Sequence, residues 1–80
     1  MIVEVKTKPS TEDVADHAAR MEKLRIFADQ RNDRRKLLGA VAGVVMLPEV
    51  KAYILKRGFY AVEPSGDTFA ITAPEGEREW

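Results

Sequence analysis

Glu4 and Lys6 are the residues whose types and spacing first suggest chemistry. They stand two apart in Met1-Ile2-Val3-Glu4-Val5-Lys6-Thr7, a run rich in β-branched residues that ends before Pro9. Such a run reads as a short strand. With a side-chain period of two, Ile2, Glu4 and Lys6 share one face, and Val3, Val5 and Thr7 share the other. A carboxylate is a hard oxygen ligand for Mg²⁺, and an ammonium beside it positions a water or stabilises charge on a phosphate oxygen. Together the pair suits metal-assisted phosphodiester hydrolysis. The same three residues recur as Glu49-Val50-Lys51 at a helix start, where the charged pair shares no face, so the strand context carries the reading. The competing account is an edge strand with a solvated face.

Other chemistry-bearing residues favour structural readings. His17, the only histidine, has no second His or Cys and no Ser partner, and reads as a surface or boundary residue on a helix flank. Gly39 and Gly43 are followed by no Gly-Lys-Ser/Thr and start no helix, so they read as sites of close packing on a buried strand rather than a phosphate loop. Arg31, Arg34, Arg35 and Lys36 make the best basic patch and a candidate contact for nucleic-acid phosphates, although an exposed loop is the better account of them. Phe59, Tyr60 and Phe69 offer aromatic rings for base stacking, but strand alternation sends at least one of them into the core.

Composition narrows the classes further. Eighty residues without cysteine make a single small domain with no disulfide scaffold, thiolate zinc site or cysteine nucleophile. Thirteen basic and 13 acidic groups give a formal charge of zero, which argues against a generic polyanion binder. That neutrality is a sum of unlike parts: residues 20–36 carry seven basic and three acidic groups, whereas residues 63–80 carry five acidic groups and Arg78. No secretory n-region or h-region opens the chain, and no apolar run reaches the roughly 20 residues of a spanning helix. A soluble cytoplasmic protein is the expectation.

The elements that must position these residues follow in order. After the opening strand, Ser10 or Thr11 caps a helix over about Glu12 to Ala28, with Glu12 and Asp13 as first-turn charges. Val14, Ala18, Met21, Leu24 or Arg25, and Ala28 form its apolar stripe. Residues 30–36 contain no apolar side chain and form an exposed connection. Leu37 to Leu47 is continuously apolar and reads as a strand buried on both faces. Pro48 then opens a helix over Glu49 to about Arg57, directing Val50, Tyr53 and Ile54 inward and stopping at Gly58. Phe59–Glu63 and Thr68–Thr72 flank the turn Pro64-Ser65-Gly66-Asp67 as a hairpin. Residues 74–80 read as a loose, flexible acidic tail outside a domain spanning 1–73. The class is α/β, strand-helix-strand-helix-strand-strand, with a mixed sheet of about four strands and a right-handed first crossover.

Val3-Glu4-Val5-Lys6-Thr7, the charged helix, the strand Gly39-Ala40-Val41-Ala42-Gly43, and Gly58-Phe59-Tyr60-Ala61-Val62-Glu63-Pro64-Ser65-Gly66-Asp67 together resemble the C-terminal part of uncharacterised bacterial proteins of the PD-(D/E)XK nuclease superfamily. These are restriction-endonuclease-like proteins, often coiled-coil-associated, and the resemblance spans nearly the whole chain. It implies Glu4 as a Mg²⁺ ligand, Lys6 as the group that helps activate the attacking water, and DNA as substrate. It also implies a further acid, usually Asp, from a preceding hairpin strand. Only Met1, Ile2 and Val3 precede Glu4, so the expectation is the C-terminal portion of a larger nuclease-like domain, inactive alone. The alternative expectation is a noncatalytic module that homodimerises through its sheet edge and uncovered helix faces.

Overall fold

A computed structural model describes residues 1–80. Strand β1 (Ile2–Lys6) leads into helix α1 (Thr11–Gln30), then β2 (Gly39–Gly43), α2 (Pro48–Lys56), β3 (Tyr60–Ser65) and β4 (Thr68–Thr72). The sheet order is β1-β2-β3-β4. The first two pairings are parallel and the last is antiparallel. This is the mixed four-stranded α/β arrangement that the order of sequence signals requires.

Each helix is bounded by local chemistry. At the start of α1 the Ser10 hydroxyl accepts the Asp13 N–H at 3.1 Å and the Asp13 carboxylate accepts the Ser10 N–H at 2.9 Å, a capping box that satisfies two end donors at once. The helix runs two residues past Ala28 and closes in a Schellman motif. The Asn32 N–H reaches the Asp29 carbonyl at 3.0 Å and the Asp33 N–H reaches Ala28 at 2.8 Å. Asn32 takes the left-handed conformation (φ 57°) that the motif needs, which Asn tolerates better than other side-chain-bearing residues. Helix α2 ends in the same way on Gly58 (φ 86°), with Phe59 N–H on the Ile54 carbonyl at 3.1 Å.

Both helices lie on one face of the sheet. Val14, Ala18 and Met21 from α1 and Val50 and Ile54 from α2 join Val41, Ala61 and Phe59 in a single buried cluster. Register sets which strand residues meet them: Glu4, Val41, Ala61 and Thr72 stand in one row across the four strands. A Cβ on Gly39 would fall 2.5 Å from the Phe59 ring, and one on Gly43 would fall 2.5 Å from Pro9 Cδ. These glycines make room for a ring and a proline rather than for a helix backbone.

Three expectations need correction. Strand β2 is only five residues long, because after Gly43 the Val44 and Val45 N–H groups turn to the Thr7 carbonyl, at 3.1 and 2.9 Å. Its burial on both faces is as expected: Ala40 and Val41, which point to opposite sides of the sheet, are both 0% exposed. The hairpin turn is Gly66-Asp67 alone, with Ser65 opposite Thr68. Gly66 at φ 60° fits the first position of a type II′ turn. Pro64 stays in β3, since β2 pairs only as far as Val62 and the missing N–H breaks no ladder bond there. Residues 74–80 are not a loose tail: Trp80 is 5% exposed, stacks on Phe59 at 5.2 Å between centroids, and donates its backbone N–H to the Leu37 carbonyl at 2.9 Å. A boundary at residue 73 therefore cuts through the core.

Candidate functional site

Strand β1 is an edge strand whose only partner in the chain is β2. Its alternation sends Ile2 and Glu4 toward the helices and Val3 and Val5 outward. Glu4 is thereby half-buried, its side chain 22% exposed, and each carboxylate oxygen faces a cation. Lys6 Nζ stands 3.7 Å from Oε1, and Arg20 of α1 donates from Nη1 to Oε2 at 3.0 Å. The shared face read from the sequence thus brings Glu4 and Lys6 side by side. Arg20, which strand spacing could not reveal, reaches the same carboxylate because α1 runs back over β1.

The donor set is poor for a divalent cation by itself. A hard dication takes about six oxygen ligands, whereas Glu4 offers one carboxylate already matched by two positive charges. No group of three His, Cys, Asp or Glu side chains in the structure is placed to hold a metal ion. Asp13 is committed to the helix cap, and its backbone hydrogen bond with Ser10 holds its carboxyl below the usual range. Residues 1–80 alone do not fit Mg²⁺.

His17 corrects another expectation. It is 2% exposed and belongs to the core, with its ring 4.9 Å from that of Phe59. Nε2 lies 3.3 Å from the Ile2 carbonyl, so that nitrogen is the donor, and Nδ1 is buried without a partner. Burial pushes the imidazole below its ordinary value of 6.5, more strongly than the Ile2 carbonyl and the Glu4 charge raise it. The signal was present in the spacing: position 17 is three after Val14 and four before Met21, inside the buried stripe.

The basic segment is divided among other tasks. Arg35 forms a forked pair with Asp33, 2.7 Å at the closest, which lowers the Asp33 carboxyl to about 2. Lys36 pairs with Glu79 at 3.0 Å, and the Arg31 guanidinium lies 4.6 Å from the Phe27 ring centroid. Arg34 lines a cleft of about 430 Å³ together with Arg25, Arg78 and Trp80. Between Arg20 and Arg31 the helix climbs about 16 Å. The patch therefore lies at the end of α1 that precedes β2, while Glu4 and Lys6 lie beside the start of α1. Ligands of open α/β sheets gather at the carboxyl ends of the parallel strands, which is the Lys6 end and not the Arg34 end. The aromatics separate as well, with Phe59 in the core and Phe69 68% exposed on the opposite face.

Arg25, read from the sequence only as an alternative to Leu24 in the stripe of α1, has a larger role. Its guanidinium donates to Asp29 at 3.0 Å, to the carbonyls of Arg35 at 2.8 Å and Trp80 at 3.1 Å, and also to the Asp33 carbonyl. One side chain thus ties α1, the connection to β2 and the final segment together. Comparison of the chain with protein-family models, with curated proteins and with solved structures gives no match.

Proposed function

We propose that the chain is a nuclease-related α/β domain in which Glu4 and Lys6 form half of a site for metal-assisted phosphodiester hydrolysis of DNA, incompetent until a further carboxylate joins them. The observation that carries this reading is the contact of Glu4 and Lys6, 3.7 Å apart on one face of an edge strand. The outer backbone edge of β1 is unpaired within the chain, and a strand added there would set a side chain beside Glu4 at the spacing of cross-strand neighbours. Arg20, with its side chain 59% exposed, is free to leave the carboxylate at little cost, since exposed ion pairs contribute only about 0.2–1 kcal/mol. In such a completed site Glu4 would help hold Mg²⁺, which would neutralise charge on the phosphate, and Lys6 would orient a water.

The test uses supercoiled DNA with Mg²⁺ or Mn²⁺ and two proteins: residues 1–80, and the same chain fused behind a hairpin whose inner strand places an Asp beside Glu4. The expected result is cleavage by the fused protein only, lost in Glu4→Gln and Lys6→Ala. Cleavage that survives both replacements removes the pair from the mechanism. A second reading, a noncatalytic homodimerising module, is favoured by the uncovered apolar outer face of the sheet. A dimer whose fused form binds no metal and cleaves nothing selects it.

A further inference from the structure

We propose that two copies of this chain associate face to face through the outer surface of the sheet, the side opposite α1 and α2. This deepens the second reading, that the chain self-associates, and it does not depend on Glu4 or Lys6. Register assembles the surface. Val5, Ala42, Val62 and Ile71 stand in one row across all four strands, with Val3 and Phe69 in the rows on either side. Val5, Phe69 and Ile71 are 70%, 68% and 67% exposed, and Val3 45%. These apolar side chains lie together rather than scattered, and contiguous apolar patches mark interaction sites.

The distribution of charge names the occupant. The charged strand residues Glu4, Lys6 and Glu63 all alternate to the helix side, where Glu4 meets Arg20 and Glu63 meets Lys51 at 2.8 Å. The outer face is left without a charged strand residue. A face with no charged strand residue meets its own copy about a twofold axis without like-charge repulsion between the strands, and two such sheets close a core when they pack about 10 Å apart at about −30°. The one polar strand side chain on this face is Tyr60, in the row of Val3, and its hydroxyl is already engaged in donating to Glu77. Four strands about 4.8 Å apart and five residues long cover about 300 Å² in projection. With side-chain relief and rim, the pair buries on the order of 1,000 Å² in total, at the lower limit of specific interfaces. The dimer is accordingly one that dissociates on dilution, not an obligate one.

Sedimentation velocity over a wide concentration series tests this. The expected result is a monomer–dimer equilibrium whose dissociation constant rises at least tenfold in Val5→Lys and in Ile71→Lys, while Leu24→Lys, on the exposed side of α1, leaves it unchanged. Circular dichroism checks that each variant is folded. Because the chain has no cysteine, a spin label attached in the variant Val44→Cys, at the end of the outer face, supplies a second readout. A short inter-label distance that disappears on dilution agrees with the proposal. A dimer indifferent to the face variants but broken by Leu24→Lys overturns the assignment of the face while leaving self-association standing. A monomer at every concentration overturns both and leaves the face to a different protein segment.

Discussion

Replacing Trp80 with Ala removes a side chain that is 5% exposed, stacks on Phe59 with the rings 10° from parallel, and carries the Arg78 guanidinium 3.6 Å from its centroid. An aromatic side chain buries about 150–250 Å², and Trp-to-Ala changes in cores cost about 3–5 kcal/mol. One term opposes this loss: the indole Nε1–H is buried without an acceptor, and an unpaired buried donor costs about 1–3 kcal/mol. The net expectation for Trp80→Ala is therefore a loss of about 2 kcal/mol. Eighty residues carry a total stability of about 4–12 kcal/mol, so this one truncation consumes about a sixth or more of it. Urea denaturation followed by circular dichroism reads the effect; with an m-value of about 1–1.5 kcal/mol/M the midpoint falls by about 1.3–2 M. Trp80→Phe keeps the stacked ring and deletes the orphaned N–H, and its midpoint should stay within about 1 M of the parent. If Trp80→Ala leaves midpoint and slope unchanged, Trp80 does not belong to the core and the placement of residues 74–80 is refuted.

His17 gives a pH dependence with a defined sign. Its folded value lies below 6.5 because burial disfavours the charged ring, so the unfolded chain binds the proton more readily. Stability is then complete above pH 6.5 and declines as pH falls below it; His17→Leu should abolish that decline in thermal melts at graded pH, and a decline that persists assigns it to other groups. Gly39→Ala places a methyl 2.5 Å from the Phe59 ring, an overpacking expected to cost about 1–3 kcal/mol, whereas Gly66→Ala meets no atom within 4 Å and is penalised only by its φ of 60°. Arg25→Ala leaves the carbonyls of Asp33, Arg35 and Trp80 without that donor, and amide exchange in residues 33–38 should quicken. Arg25→Lys should restore little of the protection, because a point ammonium does not reproduce the planar fork.

Local signals made the element order legible. The β-branched run of β1, the Ser10 cap, Pro48 at the start of α2, Gly58 at its end, and the two strands around Gly66 each act within a few residues, where backbone sterics and end hydrogen bonds decide. The adjacency of Glu4 and Lys6 was equally readable, since a strand's period of two is a local property. Burial is different, because it depends on what packs from elsewhere. His17 is a core residue because α1 crosses β1 near Ile2, and Trp80 is one because the final segment folds back over Phe59 and Leu37. An acidic, Gly- and Pro-containing stretch carries no local mark of that return. The same holds for the continuous apolar run around β2: its hydrophobicity is evident from residues 37–47, but only the handedness of two successive crossovers places both helices on one side and leaves the other without a helix. Chain order and strand faces therefore belong to the sequence, whereas which face is covered, which cation meets Glu4 and which aromatic is buried were decided by the tertiary structure, because they depend on contacts between segments far apart along the chain.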